Sequence, residues 1–580
     1  MRHLSLEQIQ WVVRRLSFNE AFLWDLALAV CLTVIVFIVS GLTPIEERKV
    51  AHSFSNLTRG GAILSSMLLP VIFRLCLLPW FAAPQPHVHD EFSHLLVADT
   101  LANGRFANPP HPLWRHLDTI YVLQHPAYAS IYPIGQGLML ATGKILSGNP
   151  WVGVLFATAF MSGAICWVLL ECFPVPWAAV GGILAGLTYG LPWIDSYRGG
   201  AFCALGGALL FGALLRLSKS RSPECPSKWM ATIAALGWSI VWLIRPFESV
   251  LLFLLFWSIV AALVFRAAPH GKHWLAPILI IVGVQASAGA VTLVHNHAVT
   301  GSFTTLPYLF SQQIDGVPQS FIWQPPISPP QFRFPELKDL YMWQLHQKQK
   351  PLWYRGGSII VTAWDFFVTP WYSIPLLLAV RSRNRLVLAD CGIIVAVIVA
   401  AMCYPFFTPH YIAGVSCLMI FLVVCGFMSL WTWKFNGKPL GQWLTVLLML
   451  GGLLKMPLDM LHPEDRENIS NNVQNFSGGV VNSRAYISDK LLNERGQHVV
   501  FIRYGPRHDF GNEWVYNPAN IDASPIVWCR WMGSTEDAEV MRYYKGRKFW
   551  LVDVDADRAA TQVSLYDGHH EHENGVLTTK

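Results

Sequence analysis

The stretch HVHDEFSHLLVADTLANGRF, residues 87 to 106, is where this sequence declares its chemistry. It follows closely on an apolar run, 62 to 83, long enough to cross a hydrocarbon core of about 30 Å, which takes about 20 helical residues. Asp90 and Glu91 open the stretch, and Phe92, Leu95, Leu96 and Asp99 follow at helical spacing. The pattern predicts an amphipathic helix on the membrane surface, with its acidic end at the mouth of a helical bundle. Adjacent carboxyls in a dry site resist double ionisation, which keeps one ready to accept a proton near neutral pH. The plainer alternative is a helix N-terminus carrying acids that favour its dipole.

Histidines crowd the same loop: His87, His89, His94, His111, His116 and His125 are six of the chain's 20. His89, Asp90 and His94 have the spacing of a divalent-metal site, but no strict HxxxH is present, so no cofactor is expected. Interfacial polar residues, with His89 contacting a substrate phosphate or sugar, are the favoured reading.

Working outward, the 580 residues are 53% hydrophobic and 13% charged, against about 25% charged in soluble domains. That excludes a single soluble globule. Residues 462 to 580 hold 13 Lys and Arg and 17 Asp and Glu out of the chain's 42 and 36, so the body keeps 29 and 19. A basic body (net +10) beside an acidic tail (net −4) suits an anionic membrane and argues against nucleic acid. Only Cys529 lies in the tail, which excludes an internal disulfide there.

Twelve spans are expected, near 21–42, 62–83, 151–171, 176–193, 200–217, 229–244, 249–266, 274–294, 357–378, 386–407, 411–431 and 440–458. The glycine-interrupted apolar segment 133–146 reads as a re-entrant or interfacial helix. Residues 1 to 20 are charged and amphipathic, and no signal peptide is expected. Lys and Arg in the short loops around Lys219, Lys272, Arg383 and Lys434 mark the cytoplasmic side. The long loops 84–132 and 295–355 and the tail then fall outside. The same count puts Arg14 and Arg15 outside if 21–42 crosses, so the direction of that segment stays open.

The expected domains are thus a membrane body, 1–461, and a small external α/β domain, 462–580. HVVFIRY (498–504), PIVWCRW (525–531) and KFWLVDV (548–554) read as strands of a parallel sheet, with a helix over 536–544 and a polar, disordered end from His569. Asp553, Asp555 and Asp557 have the look of a metal loop but lack its glycine and distal glutamate, and read as a strand end entering a turn.

Other charged groups sit at external helix ends: Asp195 and Arg198 in WIDSYRGG, Arg245 and Glu248 in LIRPFES, His410 and Tyr411 in FFTPHY. Such groups usually face a polar cavity. Arg245, beside the helix-breaking Pro246, is the expected phosphate ligand; pairing with Glu248 is its structural alternative. Arg74 is either a cavity charge or a partner of Asp25. The loop 295–355, with FIWQPPISPP and LYMWQLHQ, reads as an aromatic sugar or peptide platform or as a plain spacer.

An Asp-Glu pair in the first external loop after an early span, QHPAYASIYPIGQG, then PIGQGLMLATGKILSGNPWVGVLF, many spans and an external C-terminal domain together resemble the GT-C membrane glycosyltransferases. The branch is similar to glycosyltransferase family 39, the protein O-mannosyltransferases and the lipid A aminoarabinose transferase. The resemblance covers mainly residues 62 to 300. It implies a GT-C-like polytopic all-α fold with an added α/β domain, set in the inner membrane with its active site outside. It also implies inverting transfer of a sugar from a polyprenyl-phosphate donor to a lipid, protein or glycan acceptor. Asp90 matches the family's loop aspartate and would act as general base, with Glu91 beside it. Arg245, Arg198 and His410 would hold the lipid phosphate as positional assignments. A flippase of lipid-linked sugars, expected to carry internal repeats and midplane charges, and a surface-polysaccharide ligase or polymerase are the competing readings.

Overall fold

A computed structural model describes residues 27–31, 33–35, 56–79, 81–219, 226–267, 271–315, 320–325, 332–382, 384–459, 483–555, 561–568 and 571–572. Asp25, Asp557, most of 21–42 and the junction 460–482 lie outside them.

Among the described residues, seven helices are long and apolar enough to cross a membrane: Arg59–Cys76, Trp151–Leu169, Val175–Ile194, Gly200–Lys219, Pro246–Arg266, Leu275–Thr300 and Pro409–Trp431. Two shorter apolar helices, Lys228–Ile244 and Leu440–Leu454, and the helix Arg385–Ala401 occupy three more expected positions. The span expected over 357–378 is not one rod. Leu352–Phe367 and Pro370–Arg381 meet at 83°. Thr369, at φ 54°, takes a left-handed turn and Pro370 cannot continue the helix above it, which is enough to break a uniformly apolar run.

The two ends of the bundle differ in charge. At one end Arg216 stacks over Trp167 at 3.8 Å and donates to its carbonyl, while Lys219 donates to Glu171 O at 3.0 Å. The other end of the helix Gly200–Lys219 abuts Arg198, and here the loops with the conspicuous polar residues gather. The bundle core is glycine-packed. A Cβ on Gly207 would sit 1.8 Å from Gly414 O, so only hydrogen there lets Gly200–Lys219 touch the segment 409–415.

The segment 133–146, expected as a re-entrant or interfacial helix, forms the helix Ile134–Ser147, which packs against the acidic helix His89–Ala102. A Cβ on Gly137 would fall 2.2 Å from Val97 Cγ1. The acidic helix itself departs from expectation: it does not lie on a membrane surface, because ten of its 14 residues are buried, including Glu91, His94 and Asp99. Its polar groups are met inside the protein, Asp90 by Tyr132, Glu91 by Ser196 and Tyr197, and Asp99 by Lys144 and by Ala519 of the C-terminal domain, so their polarity does not signal solvent.

That domain is a five-stranded sheet in the order 526–530, 498–504, 548–554, 562–566, 571–572. The first three strands are parallel, as expected, and the last two are antiparallel. Of the end expected to be disordered from His569, Glu571–His572 pairs as a short strand, and 569–570 and 573–580 lie outside the described residues. Val500 and Ile502 face the helix Arg484–Asn493, while Val499 and Phe501 share a core with Val540, Leu96, Leu113 and Leu117. Burial on both faces explains why these strands read as continuous apolar runs. The tail and the first external loop thus share one core. Asp553 pairs with Arg503 and Asp555 with Arg507, in keeping with a strand end rather than a metal loop.

The loop 295–355 is largely helical. The preceding span continues to Thr300, and Pro307–Asp315 and Pro335–Gln349 follow.

Candidate active site

Asp90 occupies the first turn of His89–Ala102. The Tyr132 hydroxyl donates to its Oδ1, and the Tyr132 ring stacks on His94 with centroids 4.3 Å apart. Short hydrogen bonds hold Tyr132 in place: Ser130 Oγ accepts from its N–H at 3.0 Å and lies 2.6 Å from Ser93 Oγ, which donates to Tyr121 O. Tyr121 stands at φ 62°, a left-handed position uncommon for an aromatic residue, and its ring meets His89 edge-on at 4.6 Å. One oxygen of Asp90 is thereby oriented, and the residue remains half-buried.

Glu91 behaves differently. It is 3% exposed; Ser196 Oγ and Tyr197 N–H both donate to its Oε1 at 3.2 Å, and His87 lies 3.3 Å from Oε2. Burial raises its pKa, but His87, Arg198 and the Tyr197 amide outweigh that and hold it down at about 2. Glu91 is therefore a fixed anion clasping the loop that carries Arg198. Asp195, in the same loop, takes Arg74 Nε at 2.8 Å, while the Arg74 guanidinium also donates to Phe81 O and Ala82 O. Arg74 is thus a structural residue bound to Asp195 among the described residues.

Opposite lie the cations. Arg245 ends the helix Lys228–Ile244 because Pro246 forces it out of helical geometry, to φ −135° and ψ 76°. Its guanidinium covers the Tyr411 ring at 3.8 Å and donates to Glu248 at 2.8 Å. The pairing of Arg245 with Glu248 is thus present, and a guanidinium paired through one edge keeps further donors. Arg198 donates to Ser196 Oγ at 3.3 Å, and among the described residues no carboxylate lies within ion-pair distance. His410 lies 3.3 Å from Thr408 Oγ1 and within electrostatic reach of Arg245, Arg198 and His94. Burial, reinforced by Arg245 and Arg198 against the pull of Asp90, lowers His94 to about 4, so it is neutral at pH 7.

Asp90 and Arg245 both act on His94, Tyr308 and Tyr411, which joins the acidic and basic residues in one cluster. Asp90, Glu91, Arg198, Arg245 and His410 come together there, and His89 borders it through Tyr121. Sequence reasoning missed Tyr132, Tyr308 and Tyr404, because a tyrosine in an apolar stretch carries no mark of the carboxylate or guanidinium it meets. Among the described residues no group of three His, Cys, Asp or Glu side chains has the arrangement of a metal site. His89 and His94 are instead engaged by Tyr121 and Tyr132 rings. The arrangement offers a half-buried carboxylate able to take a proton and, nearby, two guanidinium groups and neutral imidazoles able to bind an oxyanion.

No protein-family profile matches the sequence, and no curated protein matches it. Among solved structures the chain is similar to ArnT from Cupriavidus metallidurans bound to undecaprenyl phosphate, at 12% identity over 84% of this chain and 92% of that one, with a TM-score of 0.49. It is also similar to the Archaeoglobus fulgidus oligosaccharyltransferase in complex with Zn and sulfate, at 10% identity over 85% of this chain and 67% of that one, with a TM-score of 0.43. No residue role is carried over from either.

Proposed function

We propose that this chain transfers a sugar from a polyprenyl-phosphate donor to a hydroxyl acceptor at the outer face of the cytoplasmic membrane, with inversion at the anomeric carbon. The observation that carries the reading is the meeting of Asp90 with Arg198, Arg245 and His410 at one end of the bundle. Asp90 takes the proton of the acceptor hydroxyl through the oxygen that Tyr132 leaves free. The acceptor oxygen attacks the anomeric carbon from the face opposite the phosphate, and the carbon to phosphate-oxygen bond breaks with its electron pair moving to the phosphate. Arg245 and Arg198 neutralise the charge that develops there, and His410 and the neutral His94 offer hydrogen bonds. Glu91 holds the Arg198 loop in register, and His89 lies on the side from which the acceptor arrives. The acceptor is a lipid, protein or glycan. Gathering of the charged groups at one end, rather than at midplane, supports transfer over transport.

The test is transfer of label from polyprenyl-phosphate sugars in membranes containing the wild-type chain or Asp90→Asn. Label should move only with intact Asp90. Equal transfer by a folded Asp90→Asn variant would sink the reading.

A further inference from the structure

Within the C-terminal domain, the segment 509 to 519 meets the acidic helix just ahead of its first turn, near its middle and near its last turn. Glu513 N donates to His87 O at 2.9 Å, and Asn512 forms a β-bridge with Val88, just ahead of the first turn. The Tyr516 ring stacks on Phe92 at 4.6 Å one turn on. Ala519 N donates to Asp99 Oδ2 at 2.6 Å near the last turn, while Lys144 from the glycine-bearing helix takes the other oxygen of Asp99. Phe92 and Asp99 lie seven residues apart, two turns along one helix face, and Val88 lies one turn before Phe92.

The segment is itself pinned. Glu513 is buried and accepts from Thr119 Oγ1, Tyr504 Oη, Trp514 N and Val515 N. Arg484 donates to Trp514 O at 2.9 Å and Tyr516 O at 3.0 Å, and its guanidinium lies over Phe92 at 4.8 Å and Trp528 at 4.4 Å. Asn517 bonds Trp528 through both N–H and carbonyl groups of that residue. A helix fixed at both ends and in the middle by another domain cannot slide along its axis unless that domain moves.

We infer that residues 509 to 519 are a positioning strap for the general base: the C-terminal domain sets where Asp90 stands and so belongs to the active site, not to an accessory binding module. This rests on the transfer reading given above. Tyr516 and Ala519 are positioning residues, acting through Phe92 and Asp99. Misplacing a reacting group by about 1 Å is enough to cost about 100-fold in rate.

The experiment uses the full chain in proteoliposomes and compares wild type with Tyr516→Leu, which removes the stack, and Tyr516→Phe, which keeps it. Tyr516→Leu should lower kcat about 10-fold or more while KM for the donor stays within about twofold, and Tyr516→Phe should restore kcat. Folded Tyr516→Leu with wild-type kcat, or with a raised KM and unchanged kcat, would overturn the strap. Should Tyr516→Leu not fold, Ala519→Pro, which removes the N–H to Asp99 and fixes the backbone at that point, takes its place with the same outcomes. Amide exchange separates this from failure of the transfer reading. Exchange across 89–102 should rise in the variant relative to Gly200–Lys219 even if wild type moves no sugar, and unchanged exchange there would overturn the strap on its own.

Discussion

The two halves of the site stand on different ground. The Asp90 half rests on a helix that is buried nearly all round, between Ile134–Ser147 on one side and the C-terminal domain on another. Arg245 stands on a rim helix: only 28% of the apolar window in Pro246–Arg266 is buried, against 72% in Gly200–Lys219, which follows Arg198, and 83% in Pro409–Trp431, which carries His410. A general base must hold a fixed position relative to a proton, whereas a group that meets a lipid phosphate must let a long chain enter from the bilayer. The packing gives rigidity to the first and access to the second.

Several changes would break or sharpen that contrast. The largest effect is expected from Asp90→Asn, about 10³-fold in kcat by the usual scale of a lost general base, measured as initial rates of sugar transfer. Arg198→Gln, among the cations, should cost about 10- to 100-fold, with much of the loss in donor KM, because Arg198 makes no ion pair at contact distance among the described residues. A loss in Arg198→Gln as deep as that of Asp90→Asn would erase the distinction.

The next effect is in stability against pH. Burial lowers the folded pKa of His94 to about 4, below its ordinary value of 6.5, so between these values the unfolded chain binds the extra proton. The contribution is present above pH 6.5 and is lost as pH falls toward 4, by up to about 3 kcal/mol. Melting of wild type and His94→Phe across that window should therefore converge toward the acid end. Parallel curves would show that the base half is not as dry as its packing implies.

The smaller effects concern packing alone. Gly207→Ala places a methyl group against Gly414 O and should cost about 1–3 kcal/mol, with a drop in activity through displacement of the neighbouring His410 and Tyr411. Gly283→Ala meets nothing within 4 Å on a rim helix and should change stability by about 0.5 kcal/mol or less. Thermal melts of both in one detergent compare bundle with rim directly.

Much of this contrast was legible in the sequence. Hydropathy located the spans because lipid leaves a helix few alternatives, and the parallel strands were visible because burial on both faces makes them continuously apolar. Arg198, Arg245 and His410 could be grouped with Asp90 from loop parity alone. What stayed hidden depends on distant partners. Nothing local in HDEFSHLLVADT says that Asp99 will meet Ala519 or that Phe92 will meet Tyr516, so burial of that helix was misread as a surface stripe. The bend at Thr369 was masked by apolar residues on both sides, and the closing strands 562–566 and 571–572 by their polar composition.

The buried Arg74 carries a consequence for synthesis. Its carboxylate partner, Asp195, lies 121 residues downstream. At about 5–20 residues per second, the ribosome delivers Asp195 roughly 6–24 s after Arg74. A guanidinium at a span end is costly to leave uncovered in hydrocarbon for that time. The carbonyls of Phe81 and Ala82 cover part of that guanidinium within about 2 s, and its carboxylate partner completes the set only when the hairpin that ends at Ile194 arrives. Assembly of the membrane body is thereby ordered, and the acidic helix made in the interval is held close to the site where its partners emerge.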